Sequence, residues 1–172
     1  LAELRIPNPM DRAGWRALVD RLVAAYATHA GVAPADTNQQ VYLQITRGVA
    51  LRDHAMPPDI VPTVFAMTNR MNQPTAEDRA QGVACVTAED FRWKKAHIKS
   101  VSLLGSVLAR QISVDAGASE TVMFRDGLLS EAAAANVWVV RNGQVLGPPR
   151  DNLVLEGIRY GLIEQLCANA GI

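Results

Sequence analysis

The chain has 172 residues, its 17 lysines and arginines balance 17 aspartates and glutamates, and 49% of its residues are hydrophobic. That length and composition describe a globular protein with a real core and exclude a disordered or fibrous one. A net charge of zero and a pI near 7.0 remove the electrostatic footprint of a protein that lives on nucleic acid or anionic lipid.

Behind Asp11, a residue type that caps helices, Trp15, Leu18, Val19, Leu22, Val23 and Tyr26 recur at helical spacing. They predict an amphipathic helix over 12–30, stopped by Gly31. The longest apolar run, 22–27, falls far short of the ~18 residues that a membrane-spanning helix needs. After a polar stretch, Val41-Tyr42-Leu43-Gln44-Ile45-Thr46 is rich in β-branched and aromatic types and predicts a strand, with a second at 63–68. Between them, Pro57, Pro58 and Pro62 keep 48–62 irregular. The polar, proline-broken segment 69–75 marks a domain boundary.

The remainder is predicted to open with a strand at 82–87, followed by a helix carrying Leu103, Leu104, Val107, Leu108, Gln111 and Ile112 and ended by Gly117. Two hairpins follow, turning at Arg125-Asp126-Gly127 and Arg141-Asn142-Gly143 between apolar runs. A last helix is expected over about 157–169. The elements show no regular strand–helix–strand alternation, so the class is α+β. Cys85 and Cys167 lie in no CxxC or Cys/His cluster, which argues against a zinc site or disulfide scaffold and favours a reducing, cytoplasmic compartment. The chain opens on Leu1 without a signal-like segment and ends on a helix-stop pattern, so both ends read as interior points of a longer protein.

There is no P-loop, GxGxxG, HExxH or GxSxG, so the chemistry rests on subtler features. Lys99, in His97-Ile98-Lys99-Ser100, directly precedes an apolar helix. A lysine is ordinarily a solvated charge, but one held in an apolar pocket has its pKa lowered and can form a Schiff base with a carbonyl. Glu131, followed by four alanines, is either a solvated residue or a carboxylate facing a cationic ring nitrogen. Arg47, Arg52 and His54 share the proline-rich loop; in an extended segment the i, i+2 pair Arg52 and His54 shares a face and can grip one carboxylate. Gly157 opens the last helix, whose first amides suit a phosphate.

Taken in order, Val41 to Gly48, Arg52-Asp53-His54, Asp90-Phe91-Arg92-Trp93, His97-Ile98-Lys99-Ser100 with Leu103-Leu104, Arg125-Asp126-Gly127 through Glu131 to Asn136-Val137, and Leu155-x-Gly157-Ile158 resemble the motifs of class IV, fold type IV pyridoxal-phosphate aminotransferases, most closely the D-amino-acid transaminases. The resemblance implies pyridoxal 5'-phosphate as cofactor and a homodimer. Lys99 would be the Schiff-base lysine, Glu131 the partner of the pyridine nitrogen, Leu155 the side chain on the ring, and Gly157, Ile158 and Arg159 the phosphate contacts. Arg52 and His54 would bind the α-carboxylate of a D-amino acid from the neighbouring subunit.

It further implies that 1–70 is part of a small N-terminal domain and 71–172 part of a larger, pseudo-barrel-like cofactor-binding domain. The family's further phosphate and active-site residues would lie before Leu1 and after Ile172. Arg159 stands where the family usually has Thr. A branched-chain L-amino-acid aminotransferase, an aminodeoxychorismate-lyase-type enzyme, and a non-catalytic fragment of one of these remain as alternatives.

Overall fold

The Asp11 carboxylate accepts a hydrogen bond from the Gly14 amide at 2.7 Å and so opens helix α1, Arg12–Ala30. Gly31 closes it in the left-handed conformation, φ 67°. The computed structural model describes residues 1–172 in two compact units, Leu1–Thr75 and Ala76–Ile172. In the first, α1 packs on the antiparallel pair β1 (Gln39–Thr46) and β2 (Thr63–Arg70), which runs in register from Gln39 opposite Arg70 to Thr46 opposite Thr63. Gln39 ties helix to sheet, donating to the Val23 carbonyl and accepting from the Thr68 hydroxyl.

The chain leaves β1 through Gly48, whose φ of 124° and lack of room beside Ile60 and the Val61 carbonyl admit no side chain. Arg47 is taken up structurally: its guanidinium donates to the carbonyls of Leu4 and Arg5.

The second unit opens with a short helix, α2 (Ala76–Gln81), absent from the sequence reading because its six residues carry no apolar stripe. Gly82, φ 78°, ends it, and β3 therefore runs over Cys85–Glu89 instead of 82–87. Helix α3 (Leu104–Asp115) then carries the chain to β4 (Glu120–Arg125), which pairs parallel with β3. One strand–helix–strand unit is thus present, since parallel neighbours require such a crossover, within a chain that otherwise lacks regular alternation.

β5 (Leu128–Ala132) returns antiparallel on β4 through Asp126 and Gly127, both at positive φ, the turn that the Asp-Gly pair predicts. β6 (Val139–Arg141) and β7 (Gln144–Leu146) repeat the device with Asn142 and Gly143. The core joins Ala109 of α3, Met123 of β4 and Ala133, and the Thr121 hydroxyl donates to the Ala109 carbonyl.

Helix α4 spans Arg159–Ala170. It starts two residues later than expected because the Gly157 carbonyl first accepts from the Tyr160 amide in a tighter turn. No helix is long and apolar enough to cross a membrane.

Candidate active site

Between the pairs Val122–Ala132 and Phe124–Leu129, Met123 of β4 faces two residues of β5, Ser130 and Glu131. Such a bulge breaks the alternation of side chains along a strand. It brings both residues into one buried cluster with Asp90 and Arg92, just beyond β3, and Arg125 at the end of β4. Arg92 forks onto Asp90, Nε to Oδ1 and Nη2 to Oδ2, each at 2.9 Å, while its Nη1 reaches Glu131 Oε1 at 2.6 Å. Ser130 donates to Asp90 Oδ2 at 2.6 Å, and Arg125 Nη2 stands 3.0 Å from the same oxygen.

Burial works to raise the Asp90 pKa, but the hydrogen bonds from Arg92 and Ser130 outweigh it and hold this carboxyl far below its ordinary 3.8. Burial likewise opposes the Arg92 charge, and hydrogen bonds to Asp90 and Glu131 more than restore it. Because the folded pKa of Asp90 lies below the unfolded one, its contribution to stability is complete above about pH 4 and is lost as the pH falls toward the folded value. Acid unfolding is therefore expected to steepen below pH 3.8, and Asp90→Asn to flatten that limb. Chemical denaturation across the pH range checks this.

Glu131 is only 4% exposed, which overturns the solvated alternative. The Asn136 amide donates to its Oε2 at 3.1 Å and to the Leu155 carbonyl at 2.8 Å, and the Leu155 N–H lies 3.3 Å from Oε2. Gly157 packs so closely on Asn136 that a Cβ there would collide with the amide oxygen. Glu131 is thus bonded through Asn136 and Leu155 to the turn that opens α4. Gly157, Ile158 and Arg159 lie in that turn, Ile158 wholly exposed, and no side chain caps the helix, the kind of helix start that can receive an anion. Behind it, Tyr160 packs on Trp138 with ring centroids 4.5 Å apart.

Lys99 lies in the loop between β3 and α3 and is exposed in this chain; the apolar enclosure considered from its sequence context is not present around it. Its loop is tied to the segment before Leu155: Asn152 donates to the Lys94 carbonyl at 2.7 Å, and His97 Nδ1 lies 3.4 Å from the Asn152 carbonyl. A hollow of about 330 Å³ opens there among His97, Arg150, Asn152 and Val154. In the first unit, the Asp53 carboxylate accepts from the amides of His54 and Ala55, so this segment turns and does not present the extended arrangement in which Arg52 and His54 would share a face. Arg52 and His54 are exposed and line one hollow of about 370 Å³ with Leu51, Met56 and Ile60.

The sequence reading gave no role to Asp90, Arg92, Arg125, Ser130 or Asn136. A signal exists for two of them, since Asp90 and Arg92 set opposite charges two positions apart just past a strand.

The sequence pattern of the class IV aminotransferases matches residues 1–172. The chain belongs to that family. It is 36% identical over 136 residues to a D-alanine aminotransferase of Staphylococcus epidermidis, an alignment covering 78% of this class IV chain and 48% of that protein. The chain spans about half the length of the curated relatives it matches. Among solved structures, a putative 4-amino-4-deoxychorismate lyase of Legionella pneumophila superposes with a TM-score of 0.81 at 17% identity, covering 99% of this chain and 60% of that one. A branched-chain amino acid aminotransferase of Escherichia coli gives 0.75 at 20% identity, covering 98% and 55%. The mixed fold is accordingly that of the fold type IV aminotransferases, a pyridoxal-phosphate-dependent family.

Proposed function

We propose that the full-length protein containing this chain transfers an amino group between a D-amino acid and a 2-oxo acid with pyridoxal 5'-phosphate. The observation that carries the cofactor-dependent chemistry of this reading is the buried Glu131 carboxylate, hydrogen-bonded through Leu155 and Asn136 to an uncapped helix start in a class IV chain. The donor set suits that cofactor: a buried carboxylate for a pyridinium N–H, an uncapped helix start for a phosphate, and a lysine for a carbonyl carbon. Bound, the cofactor supplies a sink for the electron pair left when an amino acid loses its Cα proton.

The chain's own residues do the rest. Lys99 anchors the cofactor covalently, and its Nζ moves the Cα proton, a general acid–base role worth roughly 10²–10⁴-fold. Glu131 keeps the ring nitrogen protonated, Leu155 packs on the ring, and Gly157, Ile158 and Arg159 receive the phosphate, with the Arg159 guanidinium in place of the family's usual hydroxyl. Arg52 and His54 hold the substrate carboxylate across a homodimer interface. Residues 1–70 belong to the small domain and 71–172 to the cofactor-binding domain. The compartment is cytoplasmic, which two free cysteines, one of them exposed, support.

The D-alanine aminotransferase likeness supports D-substrates, as does the Arg-x-His pair, while branched-chain and lyase relatives would keep Lys99 and Glu131 alike. Incubating the full-length protein with 2-oxoglutarate and either D-alanine or L-leucine should consume only the former. Arg52→Ala should raise KM for D-alanine roughly tenfold to somewhat over a hundredfold, the worth of a charge-assisted contact, with cofactor absorbance retained. Preference for L-leucine would overturn the D-specific reading. Mixing Arg52→Ala with Lys99→Ala protein should restore activity through hybrid dimers holding one intact site, and silent hybrids would rule out action across the interface.

A further inference from the structure

Four charged side chains, Asp90, Arg92, Arg125 and Glu131, meet inside the second unit with formal charges that cancel, yet the function above uses only Glu131. We propose that Arg92 is a positioning residue that fixes the orientation of Glu131, and that Asp90 locks Arg92 for this task; the proposal rests on the assignment of Glu131 to the ring nitrogen.

A guanidinium has five N–H donors in one rigid plane. Here Nε and Nη2 are committed to the two oxygens of Asp90 at 2.9 Å each, a fork that sets the plane and leaves Nη1 aimed at Glu131 Oε1, 2.6 Å away. Asp90 is itself immobilised by the Ser130 hydroxyl at 2.6 Å, by Arg125 at 3.0 Å, and by its own N–H, which continues the sheet ladder to the Phe124 carbonyl at 2.7 Å. With Oε1 held by Arg92 and Oε2 steadied by Asn136, Glu131 is fixed from both sides and keeps lone-pair capacity for one more donor. A buried charge cluster is a poor way merely to join three strands, because well-packed apolar residues in its place are often as stable or more so. Its value here is angular: it holds one carboxylate in one direction.

The test uses the full-length holoenzyme with Arg92→Gln, Arg92→Lys and each combined with Glu131→Gln, reading kcat, KM and the pH midpoint of the bound cofactor's absorbance. Arg92→Gln should lower kcat roughly 10- to 100-fold and shift that midpoint, with KM for the amino acid changed by less than about twofold. In the Glu131→Gln background the same substitution should cost less than about twofold more, since its route to the chemistry is already cut. Arg92→Lys keeps the charge but loses the fork. It should show the same dependence on Glu131 with a smaller loss, and it carries the test if Arg92→Gln does not fold.

Undiminished losses in the Glu131→Gln background, or a wild-type midpoint and kcat in the Arg92 variants, would overturn the proposal alone. An unchanged kcat and midpoint in Glu131→Gln itself would overturn the assignment of Glu131 and the proposal with it.

Discussion

Lys99→Ala is expected to abolish turnover by the full-length enzyme and to prevent borohydride from fixing pyridoxal phosphate to the protein. The loss should exceed the roughly 10²–10⁴-fold ascribed to acid–base catalysis, because under the proposed assignment the same side chain would also anchor the cofactor. Peptide mass mapping of the reduced wild-type protein should locate the pyridoxyl group on Lys99. The neighbouring Lys94 and Lys95 are exposed controls on the same loop, and a label on either would sink the assignment.

Glu131 should separate chemistry from stability. Glu131→Gln keeps an oxygen to accept from Arg92 but cannot hold the ring proton, so turnover should fall at least roughly 10- to 100-fold while cofactor remains bound. Glu131→Leu leaves Arg92 Nη1, in a side chain only 10% exposed, without its carboxylate. Removing one partner of a buried ion pair costs about 3–5 kcal/mol, so the midpoint of chemical denaturation should drop most in Glu131→Leu and less in Glu131→Gln, which keeps an acceptor for Arg92 but not the charge. Wild-type stability in both variants would show that the pairing contributes nothing to the fold.

Features with local causes are legible in the sequence. The Asp11 cap, the glycine stop at Gly31 and the Asp-Gly and Asn-Gly turns each act within a few residues, and the structure places them where the sequence does. The parallel pairing of β3 with β4 is not legible in this way, because it is a contact between segments separated by an entire helix, and the irregular stretch 90–103 obscures the crossover. Helix α2 lacks the apolar periodicity that reveals a helix.

At the site, Lys99 and Glu131 stand out only as members of an ordered set of motifs, since either residue alone is ordinarily solvated. The partners that hold Glu131 escape notice because Asp90 and Ser130 are 40 positions apart and Arg92 and Glu131 are 39. No short-range pattern connects residues so distant, and only the packed sheet brings them together.

The two-against-one opposition of Ser130 and Glu131 to Met123 makes this stretch of β5 sensitive to length more than to composition. Removing one residue from 129–131 would restore a regular ladder, and the two-residue period would then send neighbouring side chains to opposite faces. If the residue removed is Leu129, every member of the charge cluster is still present, but Ser130 and Glu131 no longer share one face. Among relatives of this chain, a single gap in β5 is therefore a stronger sign of altered chemistry than several substitutions there, whereas the turn at Asn142 and Gly143 is the kind of place where proteins gain and lose residues freely.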